Sequence, residues 1–173
     1  MPFEFPEGLS PEVYPLAWLV GRWSGTGEIN HPATGERAFV NDVVVDHDGG
    51  PYLRFQSTIT VGEGDDATVW STETGYWRIS SDRPVGLPED HHAVELLLAD
   101  ASGRLSLFLG TTGKGQIHLA TDFVARTATA SEVTAAKRMF GNVDGRLLWA
   151  EDLAAFGEPM RSYAAAQLDR VAG

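Results

Sequence analysis

The chain of 173 residues contains no cysteine. That excludes disulfides, thiolate metal sites and cysteine nucleophiles. Positive charge is also scarce: 13 Lys and Arg stand against 24 Asp and Glu, a formal net charge of −11. Nucleic acid and anionic membrane surfaces both require a basic face, so neither is expected as a partner. There is no apolar run of about 18 residues, so no membrane-spanning helix is expected. The first residues, Met1-Pro2-Phe3-Glu4-Phe5-Pro6-Glu7, lack a basic region and an apolar stretch. No secretory signal is expected there, and a cytoplasmic location follows as the default. Helical signal is scarce as well: the alanine-rich 150–171 stretch admits a helix, but Pro159 and the Met160, Ser162, Ala164, Ala166, Leu168 alternation favour a strand. No serine sits in a nucleophile-elbow context, which leaves Ser71, Ser80 and Ser81 without a catalytic reading.

What remains is a soluble-type composition with 43% hydrophobic residues, long enough for one core, and residues 1–173 read as a single domain. Residues 1–10 read as an arm. Ser10-Pro11-Glu12 reads as a helix start, with Ser10 as N-cap and Pro11 at the first position. Pro15 is expected to keep that helix short, with Tyr14, Leu16 and Trp18 plugging one end of the fold. Strand signals then dominate. In Gly21-Arg22-Trp23-Ser24-Gly25-Thr26-Gly27, Trp23, Gly25, Gly27 and Ile29 share one parity and the polar residues the other. Further runs are 37–47, 52–61, 69–79, 93–99, 104–109, 116–126, 132–140, 146–153 and 160–171. Turn signals separate them, among them Asp48-Gly49-Gly50-Pro51 and Asn142-Val143-Asp144-Gly145. Ten short strands joined by tight turns predict an all-β fold, an antiparallel up-and-down β-barrel of the lipocalin or fatty-acid-binding-protein kind with a short N-terminal helix. A barrel of that width is not filled by its own side chains, so a cavity for an apolar small-molecule ligand is expected.

Candidate chemistry is sparse. His91-His92 alternate across a strand and do not chelate one metal easily. His47 lies at a turn between two aspartates, and His118 sits mid-strand as an outward residue. Glu73 and Arg78 are candidates for a cross-strand pair. Arg161 and Tyr163 share a face of the last strand, where a tyrosine phenolate beside an arginine is a known ligand type for ferric haem. The Met160, Ser162, Ala164, Leu168 alternation makes Ser162 the expected inward residue.

Taken together these residues resemble the nitrobindins over nearly the whole chain. The fingerprint is G-x-W-x-G-x-G at Gly21, Trp23, Gly25 and Gly27, after Leu16-Ala17-Trp18-Leu19. Glu73-Thr74-Gly75-Tyr76, Val94-Glu95-Leu96, Ala125-Arg126-Thr127-Ala128, Glu132-Val133-Thr134 and Asp152 through Met160 follow in the family's order. The resemblance implies a ten-stranded barrel holding ferric haem b in an open cleft. It also implies nitric oxide binding and isomerisation of peroxynitrite to nitrate, with a histidine on the last strand as the iron's axial ligand. That position falls here on Tyr163, or on Ser162 if the register slips by one. The family's Tyr-Pro-Thr turn reads His31-Pro32-Ala33-Thr34, and Lys137 matches a basic residue near the haem. The resemblance thus marks Thr34, Lys137, Met160 and Arg161 as ligand or haem contacts. With the histidine missing, the expectation is a barrel that binds an apolar ligand and does not isomerise peroxynitrite. The alternative is a haem b protein acting on peroxynitrite or nitric oxide, with Tyr163 as a substitute iron ligand. A homodimer stays open.

Overall fold

The computed structural model describes residues 3–172; Met1 and Pro2, the start of the expected arm, and Gly173 lie outside the described residues. Ten antiparallel strands follow in chain order: β1 (Gly21–His31), β2 (Gly35–Asp46), β3 (Leu53–Val61), β4 (Thr68–Ser80), β5 (His92–Asp100), β6 (Arg104–Gly113), β7 (Gln116–Arg126), β8 (Val133–Val143), β9 (Arg146–Ala155) and β10 (Glu158–Val171). Each pairs with its sequence neighbour, and β1 pairs with β10, so the sheet closes without an edge. All ten expected strands occur, several longer than expected. β6, expected over 104–109, runs on to Gly113, so its turn to β7 is only Lys114-Gly115. The acidic 62–66 loop holds a single 3-10 turn, Gly64–Asp66.

Three hairpins turn on two residues that both have positive φ: Lys114-Gly115, Asp144-Gly145 and Phe156-Gly157. That backbone matches the right-handed twist of the flanking strands, and the Asp-Gly pair is its usual sequence. Phe156 is the exception, an aromatic residue held at φ 55°.

The N-terminal helix differs from expectation in type and length. It is a 3-10 helix over Pro11–Leu19 and passes through Pro15. Side chains three apart eclipse in a 3-10 helix. The buried face is therefore Val13, Leu16 and Leu19, with Ala17 beside them, whereas Tyr14 is exposed and Trp18 only half-buried. Ser10 makes no capping bond, because its hydroxyl goes to the Glu12 carboxylate.

This helix closes one barrel end against the fingerprint. Trp23 is buried and donates Nε1–H to the Leu19 carbonyl at 2.9 Å. The Arg170 guanidinium lies 4.1 Å from the Trp23 ring centroid and donates to the carbonyls of Trp18 (3.0 Å) and Val20 (2.6 Å). Gly25 and Gly27 sit where β1 has no room for a side chain against β10. A Cβ on Gly25 would land on the Gln167 carbonyl, and one on Gly27 on the Ala165 carbonyl and the Phe39 ring. Gly25→Ala is thus expected to lower stability by roughly 1–3 kcal/mol, the usual cost of overpacking. Urea unfolding reads this directly, and an unchanged midpoint would mean that β1 and β10 separate freely.

At the other end the barrel is open. β7 and β8 pair over five positions only, Gln116–Ala120 with Lys137–Gly141, and then diverge.

Candidate functional site

Inward-pointing residues near that open end surround a cavity of about 470 Å³. This is within the range of small-molecule sites. Alternation along each strand supplies its walls. β3 contributes Phe55, Ser57 and Ile59, β8 contributes Val133, Arg138 and Phe140, and β9 contributes Trp149, Glu151 and Leu153. Trp70 from β4, Phe156 from the β9–β10 turn and Tyr163 from β10 complete an aromatic mouth. Asn41 ties the wall together. Its side chain donates to Ser57 Oγ (2.9 Å) and the Thr58 carbonyl (3.0 Å), and accepts from Trp149 Nε1 (2.9 Å).

The polar part of the lining is a buried ion network, of which the sequence reading names only Glu73. Arg138 donates to both oxygens of Glu73, at 2.8 and 2.5 Å, and its Nε–H goes to Glu151. The expected Glu73–Arg78 pair is not made. The two residues are five apart on one strand and so face opposite ways. Arg78 instead lies outside, 3.9 Å from Glu95. Burial raises the pKa of Glu73, but the Arg138 charge and hydrogen bonds outweigh it and hold the carboxyl below its ordinary value. Glu151 goes the other way. Burial dominates, and with the Glu73 charge it pushes the carboxyl up despite Arg138. Arg138 itself is held protonated above its ordinary value, because the two carboxylates outweigh its own burial. A second pair, Arg104 to Asp100 at 3.1 Å, lines the same cavity.

The last strand departs from simple alternation. Ser162 lies opposite Asp152 and Ala164 opposite Glu151, so Tyr163 is an extra residue in a β-bulge. A bulge reverses the parity of what precedes it. Ser162, expected to point inward, is exposed, and Tyr163 faces the cavity. The Tyr163 oxygen accepts Trp70 Nε1–H at 2.8 Å. Burial pushes the phenol pKa up, and the Trp70 bond only partly offsets this.

Of the other expected contacts, Thr34 lines the cavity. Lys137 is exposed on the outer face, because Arg138 takes the inward position next to it. Met160 is half-buried outside the lining, and Arg161 is exposed, 3.3 Å from Glu158. Trp23, Gly25 and Gly27 belong to the closed end. His118 is exposed, and His91 and His92 lie at a loop end, His91 bonded to Asp90 at 2.8 Å.

The histidine that sequence reasoning passed over is His31. It is 1% exposed, with its ring centroid 5.8 Å from Phe156 and 6.1 Å from Tyr163. Nδ1 accepts the Ala33 N–H at 3.1 Å. Nε2 is buried without a hydrogen-bond partner. Among the described residues no cluster of three or more His, Cys, Asp or Glu is arranged to hold a metal ion.

A family model described as THAP4-like, heme-binding beta-barrel domain matches residues 12–170. The chain belongs to this THAP4-like haem-binding barrel family. It is 42% identical to the ferric nitrobindin-like protein of Beutenbergia cavernae, over 99% of this chain and all of that one. It is 37% identical to the peroxynitrite isomerase of a Nocardioides species, over 98% and 99% of the two chains. The crystal structure of Rv2717c from M. tuberculosis superimposes with a TM-score of 0.79 at 30% identity, covering 95% of this chain and 99% of that one. The resemblance to the nitrobindins and the closed ten-stranded barrel are both borne out. No helix among the described residues is long and apolar enough to cross a membrane.

Proposed function

We propose that this member of the haem-binding barrel family holds a small, largely apolar ligand in its cavity and does not isomerise peroxynitrite. The observation that carries this reading is the place of Tyr163. It faces the cavity at the position that the nitrobindin resemblance gives to the iron's histidine, and its oxygen accepts Trp70 Nε1–H at 2.8 Å. A phenol binds ferric iron only as the phenolate. Burial opposes that ionisation more than the Trp70 hydrogen bond favours it. His31 offers no substitute, because it is not among the cavity-lining residues and its Nδ1 is engaged by the Ala33 N–H. No histidine is among the residues that line the cavity, so they do not offer a haem iron the family's imidazole. The cavity walls suit an apolar body instead: Val43, Phe55, Ile59, Phe140 and Leu153 line them.

The alternative, haem b bound through Tyr163 and acting on peroxynitrite or nitric oxide, has one point in its favour. Trp70 Nε1–H is aimed at the oxygen that a phenolate ligand would use.

Hemin titration followed at the Soret band separates the two. Wild type is expected to show no tight, saturable binding. Tyr163→His is expected to gain it, since a neutral imidazole coordinates without an ionisation step. Tight binding by wild type that disappears in Tyr163→Phe would overturn the proposal. If neither wild type nor Tyr163→His binds, the family's Tyr-Pro-Thr turn, here ending on Ala33, becomes the next position to restore.

A further inference from the structure

The charges that line the cavity do not cancel. Three carboxylates, Glu73, Asp100 and Glu151, face two guanidiniums, Arg104 and Arg138. Arg104 is matched to Asp100 and Arg138 is matched bidentately to Glu73. Glu151 is left to share Arg138 through a single nitrogen. The cavity is thus one positive charge short, and the deficit sits on a side chain only 7% exposed. Arg104, whose side chain is 10% exposed, gives its terminal nitrogens to Asp100 and Ser131 and makes no hydrogen bond to Glu151. Around these charges the lining is aromatic: Phe55, Trp70, Phe140, Trp149, Phe156 and Tyr163. A surplus carboxylate among aromatic faces is the chemistry that recognises an ammonium, through charge and through cation–π contact.

We propose that the cavity takes an amphipathic organic ammonium, with Glu151 as its counter-charge and the aromatic wall around its head group. The inference rests on the cavity-ligand reading above and adds the sign of the head group. A carboxylate head would raise the local charge to two uncompensated negatives in a poorly solvated site. An ammonium brings it to zero. In the empty site a proton on Glu151 does the same, which agrees with the upward push on that carboxyl. Proton and ammonium therefore compete. The groups that face Glu151 are Glu73 on β4, Arg104 on β6, Arg138 on β8 and Tyr163 on β10.

Isothermal titration calorimetry with octylammonium, octanol and octanoate tests this, because the three probes differ only in head group. One octylammonium is expected to bind per chain, roughly tenfold or more tighter than octanoate. Its affinity should fall as pH drops through the titration of Glu151, while that of octanol stays flat. Below about pH 10 an alkylamine remains protonated, as lysine does, so the probe itself does not titrate. Glu151→Gln is expected to lose the ammonium preference and to keep octanol binding, which also shows that the variant folds. The chain's net charge of −11 attracts cations everywhere, so ammonium binding unchanged in Glu151→Gln overturns the proposal. If that variant does not fold, the wild-type pH dependence decides alone, and a flat octylammonium profile overturns it. Octanoate bound as tightly as octylammonium sinks the ammonium inference and leaves the cavity reading standing. No binding by any of the three probes sinks both.

Discussion

Replacing Arg138 by methionine is expected to destabilise the fold by about 3–5 kcal/mol, the cost of breaking a buried ion pair from one side. The side chain is 9% exposed, and it separates two carboxylates that are themselves 12% and 7% exposed. Methionine fills much of the same space along the Phe108 ring, over which the guanidinium now lies at 5.1 Å. The loss therefore comes chiefly from the charges. Glu73 and Glu151 would face each other without a cation, and both carboxyls would be pushed up. In wild type the two contribute with opposite sign. Glu73, held low, gives stability that is lost as pH falls through its folded pKa, whereas Glu151, pushed up, gives stability that is lost as pH rises through its own. In Arg138→Met both run the second way, so the deficit against wild type should be largest near neutrality and shrink on acidification. Urea unfolding at several pH values measures this. Adding Glu73→Gln and Glu151→Gln to Arg138→Met should recover most of the loss, because no buried charge is then left unmatched. A pH-independent loss, or one that the triple variant does not recover, would show that the network acts through packing.

The barrel was legible in the sequence for a physical reason. A strand that is buried on one face and wet on the other must alternate, and ten such runs with Gly and Asp turns between them leave few architectures. Trp23 and the two glycines were legible for the same reason. The ion network was legible only in outline. Arg138 shares its parity with Ala136 and Phe140, and Glu151 shares its parity with Leu147, Trp149 and Leu153. A charged residue on an inward parity was thus visible at both places, but nothing in a linear pattern says that strands 65 residues apart meet, as β4 and β8 do through Glu73 and Arg138. Lys137 is marked only by the family resemblance, as the match to a basic residue near the haem, and it is one residue out of phase with the interior. Tyr163 was misjudged for a different reason. A bulge inserts one residue and inverts the parity on one side of it, and period-two reasoning carries no signal for where that happens. The 3-10 helix was misread in the same way. Its buried face has a period of three, so Val13, Leu16 and Leu19 were the residues to choose.

Trp23→Ala is expected to cost about 3–5 kcal/mol, as for other fully buried aromatic residues. Three separate attachments end on this ring. Its Nε1–H holds the Leu19 carbonyl at the end of the 3-10 helix. Its face carries Arg170, and that guanidinium in turn holds the carbonyls of Trp18 and Val20. Its body fills the interior between β2 and β10, opposite Val43 and Arg170 in the registers of β1. Alanine would leave a void, an unmatched carbonyl and an uncovered guanidinium together, and the helix would lose its anchor to the barrel. Trp23→Phe separates these terms. It keeps most of the ring and loses the hydrogen bond, so a loss of about 1 kcal/mol is expected for that bond, with a modest addition for the smaller ring. Trp23 is not part of the cavity lining, so the folded fraction of either variant should bind a cavity ligand as wild type does. Urea midpoints with unchanged m-values would assign the effect to the native state. A loss below about 1 kcal/mol for Trp23→Ala would mean that the 3-10 helix is held on the barrel by Val13, Leu16 and Leu19 alone, and that the fingerprint tryptophan is not what closes this end.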